Sequence, residues 1–225
     1  VWIMAYTDID KPTDYFNTKL YTGTGATHNI TGVGFQPDWV WIKKRSGVDG
    51  ARMFDVVRGA SEGLFTDSNA EEVTVSTEHT SFNSDGFSLG SSENVNESSG
   101  TFVAWNWLAD NTSGSSNTDG SITSNVSAST TSGFSIVSYT GTGANATVGH
   151  GLGVAPSMII VKNRNTTNSW EVFHTSMGAT KVILLNRNEA EQTSSSSWNN
   201  TAPTSSVFSI GTAAGTNGNG NSLIA

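Results

Sequence analysis

Residues 37–45 read Pro-Asp-Trp-Val-Trp-Ile-Lys-Lys-Arg, and residues 156–164 read Pro-Ser-Met-Ile-Ile-Val-Lys-Asn-Arg. Proline, lysine and arginine fall at the same places, at an offset of 119. The correspondence is part of an ordered series. Tyr21-Thr-Gly-Thr-Gly-Ala26 recurs letter for letter as Tyr139-Thr-Gly-Thr-Gly-Ala144, Phe54 matches Phe173, and Gly59-Ala60 matches Gly178-Ala179. At an offset of 121, Gly86-Phe-Ser-Leu-Gly90 matches Val207-Phe-Ser-Ile-Gly211. Ordered matches with slightly drifting offsets mark a unit written twice, with loop insertions.

Each copy reads as β. Trp39-Val-Trp-Ile42 and Met158-Ile-Ile-Val161 are short apolar runs that follow a proline or its neighbour and end in basic residues. Thr101–Trp107 and Gly133–Tyr139 alternate apolar and polar residues, and Ser84-Asp-Gly86 is a turn signal before another short strand. Helical periodicity is nearly absent; Ala70-Glu-Glu72 and Glu189-Ala-Glu191 are the candidates for a single helical turn. Ser and Thr make up about a quarter of the chain, a composition that favours strands and turns over helix interiors. The expected fold is all-β, with two tandem β-sandwich or jelly-roll-like repeat units. The expected boundaries are an N-terminal segment over 1–15, a first unit over 16–110, a linker over 111–120 and a second unit over 121–225. The linker holds no large apolar residue and reads as flexible.

Two expectations concern the chain ends. Met4-Ala-Tyr-Thr reads as a natural beginning, so Val1-Trp2-Ile3 is expected to be foreign. The offset of 121 sets Phe102-Val-Ala104 against Leu223-Ile-Ala225, after which the first copy continues with Trp105-Asn-Trp107. The second copy is therefore expected to continue in the natural chain.

A net charge of −8 repels phosphate and anionic lipid, so neither nucleic acid nor membrane is an expected partner. The absence of cysteine excludes disulfides, thiolate metal sites and a cysteine nucleophile.

The series YFNTKLYTGTG, GVGFQPDWVWIKKR, FDVVRGA, SFNSDGFSLG and TFVAWNW resembles a repeat family of predicted virion and tail proteins of marine bacteriophages. TDGSITSNVSASTTSGFSIVSYTGTG, VGHGLGVAPSMIIVKNR and PTSSVFSIG look like the family's next repeat. The resemblance covers almost the whole chain. It implies a structural role at the virion surface, as a tail fibre or other appendage, with virion proteins and further copies of the chain as partners. It supplies no catalytic motif and no cofactor.

The candidate residues follow from the repeat. Side chains alternate along a strand, so Trp39 and Trp41 share one face, where the second copy has Met158 and Ile160. Two readings stand: an exchange of apolar residues inside a core, or an aromatic platform that stacks on sugars in the first unit alone. Trp105 and Trp107 extend the second reading. Lys43, Arg45, Lys162 and Arg164 are repeated cations in an acidic protein. They are candidates for contacts with acidic partners or neighbouring subunits, or they simply end strands in water. His28, His79, His150 and His174 show no metal-ligand spacing, and Asp8, Asp10 and Asp14 lack the spacing of a calcium loop. No metal site and no catalytic residue is assigned; nothing in the sequence pairs Asp38, Asp55 or Asp85 as acid and base.

The functional expectation is a non-enzymatic, homo-oligomeric virion surface protein that adheres to host glycans. A capsid decoration protein, and after it a free carbohydrate-binding module, are the alternatives.

Overall fold

The structure, a computed structural model, describes residue 9 and residues 11–225. Val1–Ile3, Asp8 and Asp10 lie outside the described residues; Asp14 pairs with Lys11 at a 3-10 turn, Pro12–Asp14. The first half runs β1 (Phe16–Thr22), β2 (His28–Thr31), β3 (Trp39–Lys44), β4 (Arg52–Asp55), β5 (Gly59–Phe65), β6 (Val73–Thr74), β7 (His79–Asn83), β8 (Gly86–Leu89), the helical turn α1 (Glu93–Asn96) and β9 (Thr101–Trp107). The second runs β10 (Ser115–Asn117), β11 (Ser124–Ser129), β12 (Phe134–Thr140), β13 (Ala146–Gly149), β14 (Met158–Asn163), β15 (Glu171–His174), β16 (Lys181–Leu184), β17 (Gln192–Thr193), α2 (Ser195–Trp198), β18 (Val207–Ile210), α3 (Ala214–Asn217) and β19 (Ser222–Ile224). The helical turns stand at other places than the two glutamate-containing segments suggested.

The protein is all-β, and its strands pair antiparallel. The large sheet of the first half has the order β1-β9-β3-β4-β5-β6. That of the second half has β10-β11-β12-β19-β14-β15-β16-β17, so its last six strands follow the same order. Residues 111–120 are less free than their composition suggests. They contain β10, which pairs with β11 and extends the second sheet. The small sheets differ: β2-β8-β7 in the first half, β13-β18 in the second, where α2 replaces a third strand.

Alternation explains the layers. Val40 and Ile42 of β3, Phe54 of β4, and Phe102 and Ala104 of β9 point towards Ile30, Phe87 and Leu89 of the small sheet and bury there. In the second half Val137, Tyr139, Ile159, Val161, Phe173 and Leu223 meet Val148, Phe208 and Ile210. A fully buried side chain of this size stabilises the fold by about 1.5–3 kcal/mol.

The letter-for-letter repeat has a local cause. Tyr21 donates its hydroxyl to Val95 O, and Tyr139 donates to Thr216 O, each at 2.7 Å. Beside them a buried asparagine clamps the glycine loop. Asn96 accepts from Thr24 N at 2.9 Å and donates to Gly90 O and Ala26 O. Asn217 repeats this with Thr142 N, Gly211 O and Ala144 O. A β-carbon at Gly23 or Gly141 would collide with the backbone of the α1 or α3 segment, which is why glycine stands there twice.

His79 carries a prediction. Its ring is buried among Phe54, Phe82 and Phe87, and its Nδ1 lies 3.0 Å from Ala60 O. Burial pulls its pKa down to about 3, against the opposing effect of that hydrogen bond. The folded state therefore keeps the ring neutral, while the unfolded chain takes a proton below about pH 6.5. Stability from this group is complete above that pH and falls as pH drops towards 3, by about 1.4 kcal/mol per pH unit. Urea unfolding at pH 7.5 and 5.0 should show the His79→Phe variant losing about 2 kcal/mol less than the parent chain between the two.

Candidate functional site: the seam between the two large sheets

The outer faces of the two large sheets meet. Met53, Leu64, Ala109, Ile136, Trp170 and Ile224 are buried between them, with Trp39, Trp41, Phe134 and Ile160 packed against this cluster. Four predicted tryptophans lie on the first sheet's outer face. Ring centroids are 5.7 Å apart for Trp39 and Trp41, 4.4 Å for Trp39 and Trp107, and 5.7 Å for Trp41 and Trp105. Phe134 of the second half lies 5.8 Å from Trp39 and 6.2 Å from Trp107. Trp39 and Trp41 thus pack against the other half of the chain, an arrangement between the two readings of the sequence.

Polar contacts close the seam along one margin. Trp170 donates its indole N–H to Phe65 O at 2.7 Å, and Glu72 N donates to Arg164 O at 2.9 Å. The Arg164 guanidinium grips the Glu72 carboxylate through Nε and Nη2, the shortest contact being 2.6 Å. Glu72 also receives Arg58 Nη1 at 2.8 Å, and Arg58 pairs with Asp55. Burial works to raise the Glu72 pKa, but the bonds from Arg164 and Arg58 outweigh it and hold the carboxyl below its usual range. Lys162 is buried, and the three N–H groups of its ammonium lie among four carbonyl oxygens, those of Asn163 and Asn168 at 2.8 and 2.9 Å and those of Asn69 and Thr166 at 3.3 Å. Burial brings its pKa down to about 8. Of the four predicted cations, Lys162 and Arg164 therefore meet the first half of the same chain. Their counterparts differ: Lys43 of β3 donates to Asp49 O in the loop that follows, and Arg45 is exposed.

The three best-patterned acids each have their own partners. Asp38 is buried and accepts from Ala109 N at 2.7 Å and Asn111 N at 2.9 Å, holding the exit of β9. Burial pushes its pKa up against those bonds. Asp55 belongs to the Arg58 pair, and Asp85 accepts from Gly32 N and Gly34 N in a turn. Among the described residues no group of three His, Asp or Glu side chains is placed to hold a metal ion, and no helix is long and apolar enough to cross a membrane.

Where the seam opens, two equivalent loops face each other. Thr66, Asp67, Ser68 and Asn69 come from the loop after β5, and Leu185 to Glu189 from the loop after β16. Between them lies an open groove of about 880 Å³, with Trp41 and Ala51 in its wall. Trp41 Nε1 donates to Thr66 Oγ1 at 2.8 Å, which fixes the ring. Asp67 and Asn188 are exposed on opposite sides, and Arg187 is held by Ser169 and Glu189. This is a shallow, amide-rich cleft with one aromatic wall. Sequence reasoning found Trp41 but missed the loops. The signal was the offset of 119, which sets residues 66–70 against 185–189.

Over residues 11–225 the chain matches a family described as a domain of unknown function, DUF7483. The chain belongs to the DUF7483 family. The match takes in both large sheets and the seam, so this DUF7483 domain includes both halves rather than one. Comparison with curated proteins and with solved structures gave no match.

Proposed function

We propose that this DUF7483 chain is a non-enzymatic structural protein of a phage virion surface, a tail fibre or similar appendage. In this reading it consists of two tandem sandwich units whose seam forms a glycan-binding groove. The groove between residues 66–69 and 185–189 carries the reading. An indole supplies an apolar wall for a sugar face, and amide, carboxylate and guanidinium groups supply directional hydrogen bonds to hydroxyls. The net charge of −8 suits a neutral or cationic saccharide better than a polyanion. The resemblance of both copies to phage repeat sequences supplies the particle context, and the like order of strands in the two large sheets supports the two-unit reading.

The test is binding to a panel of immobilised bacterial surface polysaccharides that are neutral or carry free amino sugars, with acidic polysaccharides as the contrast. At least one should bind, and the double variant Asp67→Ala, Asn188→Ala should weaken that binding about tenfold or more, the effect of losing roughly 1.4 kcal/mol of hydrogen bonding. Both side chains are exposed, so the unfolding temperature should stay within about 2 °C of the parent. Binding that survives the double variant unchanged, or no binding to any of the panel, would overturn the proposal.

A further inference from the structure

We infer that the groove selects saccharides that carry a free, protonated amino group, and that Asp67 is the residue that selects them. The inference rests on the glycan-binding reading of the groove and names the class of sugar it takes.

The repeat shows what Asp67 lacks. At the offset of 119, Asp67 corresponds to Asn186, Gly50 to Ser169 and Ala51 to Trp170. In the second half these residues satisfy one another. Asn186 accepts from Trp170 N at 3.0 Å and donates to Ser169 Oγ at 3.4 Å. Ser169 Oγ also accepts from Arg187 Nε at 3.1 Å. In the first half the serine is a glycine, which brings no hydroxyl. A β-carbon at Gly50 would lie 2.7 and 2.8 Å from the two carboxylate oxygens of Asp67, so the carboxylate rests against the bare α-carbon. Ala51, the next residue, forms part of the groove wall, whereas Trp170 is buried in the seam.

The charges follow the same division. Three charged side chains line the groove: Asp67, Arg187 and Glu189. Arg187 and Glu189 pair with each other at 3.2 Å, and Glu189 also receives Gln192 Nε2 at 2.6 Å. Asp67 is exposed and, among the described residues, has no ion pair. The groove therefore presents one uncompensated negative charge, in a chain whose net charge is already −8.

An ammonium is the group that fits. A carboxylate only accepts hydrogen bonds, and an ammonium only donates them. Bonds between two ions are shorter and about twice as strong as neutral ones. The acetamide of an N-acetylated sugar has a single N–H and no charge, so it keeps the weaker kind of bond at most. Trp41 supplies the apolar wall for a sugar face, which makes an amino sugar a better occupant than a bare cation.

The test uses soluble oligomers of glucosamine and of galactosamine, each with free amino groups and again after N-acetylation. They are titrated calorimetrically into the full chain at about pH 6, where the amines are protonated. The free-amine form of at least one should bind more tightly than its acetylated form, by about fivefold or more. Asp67→Asn keeps the shape of the side chain and removes its charge, and should bring that ratio to about one. Glu93→Gln removes the same charge from an exposed residue outside the groove and should keep the parent's ratio. Equal binding of the two forms, a ratio that survives Asp67→Asn, or a ratio that falls as far with Glu93→Gln would overturn the inference and leave the groove reading in place. Absence of binding by either form would also overturn it. The groove reading would then fail as well only if the neutral polysaccharides do not bind either.

Discussion

Replacing Arg58 by methionine is expected to destabilise the protein by about 3–5 kcal/mol, the cost of leaving buried charges without their partner. The Arg58 side chain is fully buried. It donates to Asp55 through Nε and to Glu72 through Nη1, and also reaches Met53 O and Glu62 O. Removing it strands Asp55 in the interior and leaves Glu72 with Arg164 alone. The effect has a pH signature. The Glu72 pKa is depressed in the folded state, so its contribution is present above the unfolded carboxylate range and is lost as pH falls through the folded value. The stability difference between parent and Arg58→Met chains should therefore shrink as the pH is lowered from 7 towards 4. Urea denaturation at several pH values checks both the size and the trend. A loss below about 1 kcal/mol at pH 7 would mean that water reaches the pair, as at an ordinary surface ion pair.

Asn96→Ala is expected to cost about 3 kcal/mol or more, since it leaves Thr24 N, Ala26 O and Gly90 O without their shared partner at a residue that is fully buried. Asn217→Ala should act alike in the second half, because its three bonds are the same. Thermal unfolding of the two single variants gives the comparison. A fall in one variant only would show that the two loops are not held in the same way.

These two sites show what the sequence discloses and what it withholds. β3, β9 and β12 were legible because alternation and a repeated proline-to-arginine line are local signals. The tyrosine-glycine line was legible as a repeat, but its cause was not. Asn96 and Asn217 stand far along the chain from the loops they clamp, and nothing around them marks a buried asparagine. Glu72 looked like part of a helical turn, because Ala70-Glu71-Glu72 is a run of helix-favouring residues and carries no record of a partner at Arg164. The tryptophans illustrate the same limit. Strand periodicity puts Trp39 and Trp41 on one face, yet whether that face meets solvent, a ligand or another sheet depends on how the second half packs. The groove was hidden for the same reason, since its walls come from loops about 119 residues apart.

The proposed site exists only if the two halves hold a fixed relation, which is the central claim. Two N–H groups report on it directly. Trp170 Nε1–H bonds to Phe65 O, and Glu72 N–H bonds to Arg164 O, each across the seam. Their hydrogen exchange should be slow at neutral pH and should track global unfolding in low urea, as for amides inside the sheets. Exchange of both at rates close to those of an unstructured peptide, while the Val137 and Phe102 amides stay protected, would show the halves moving independently and would contradict the account.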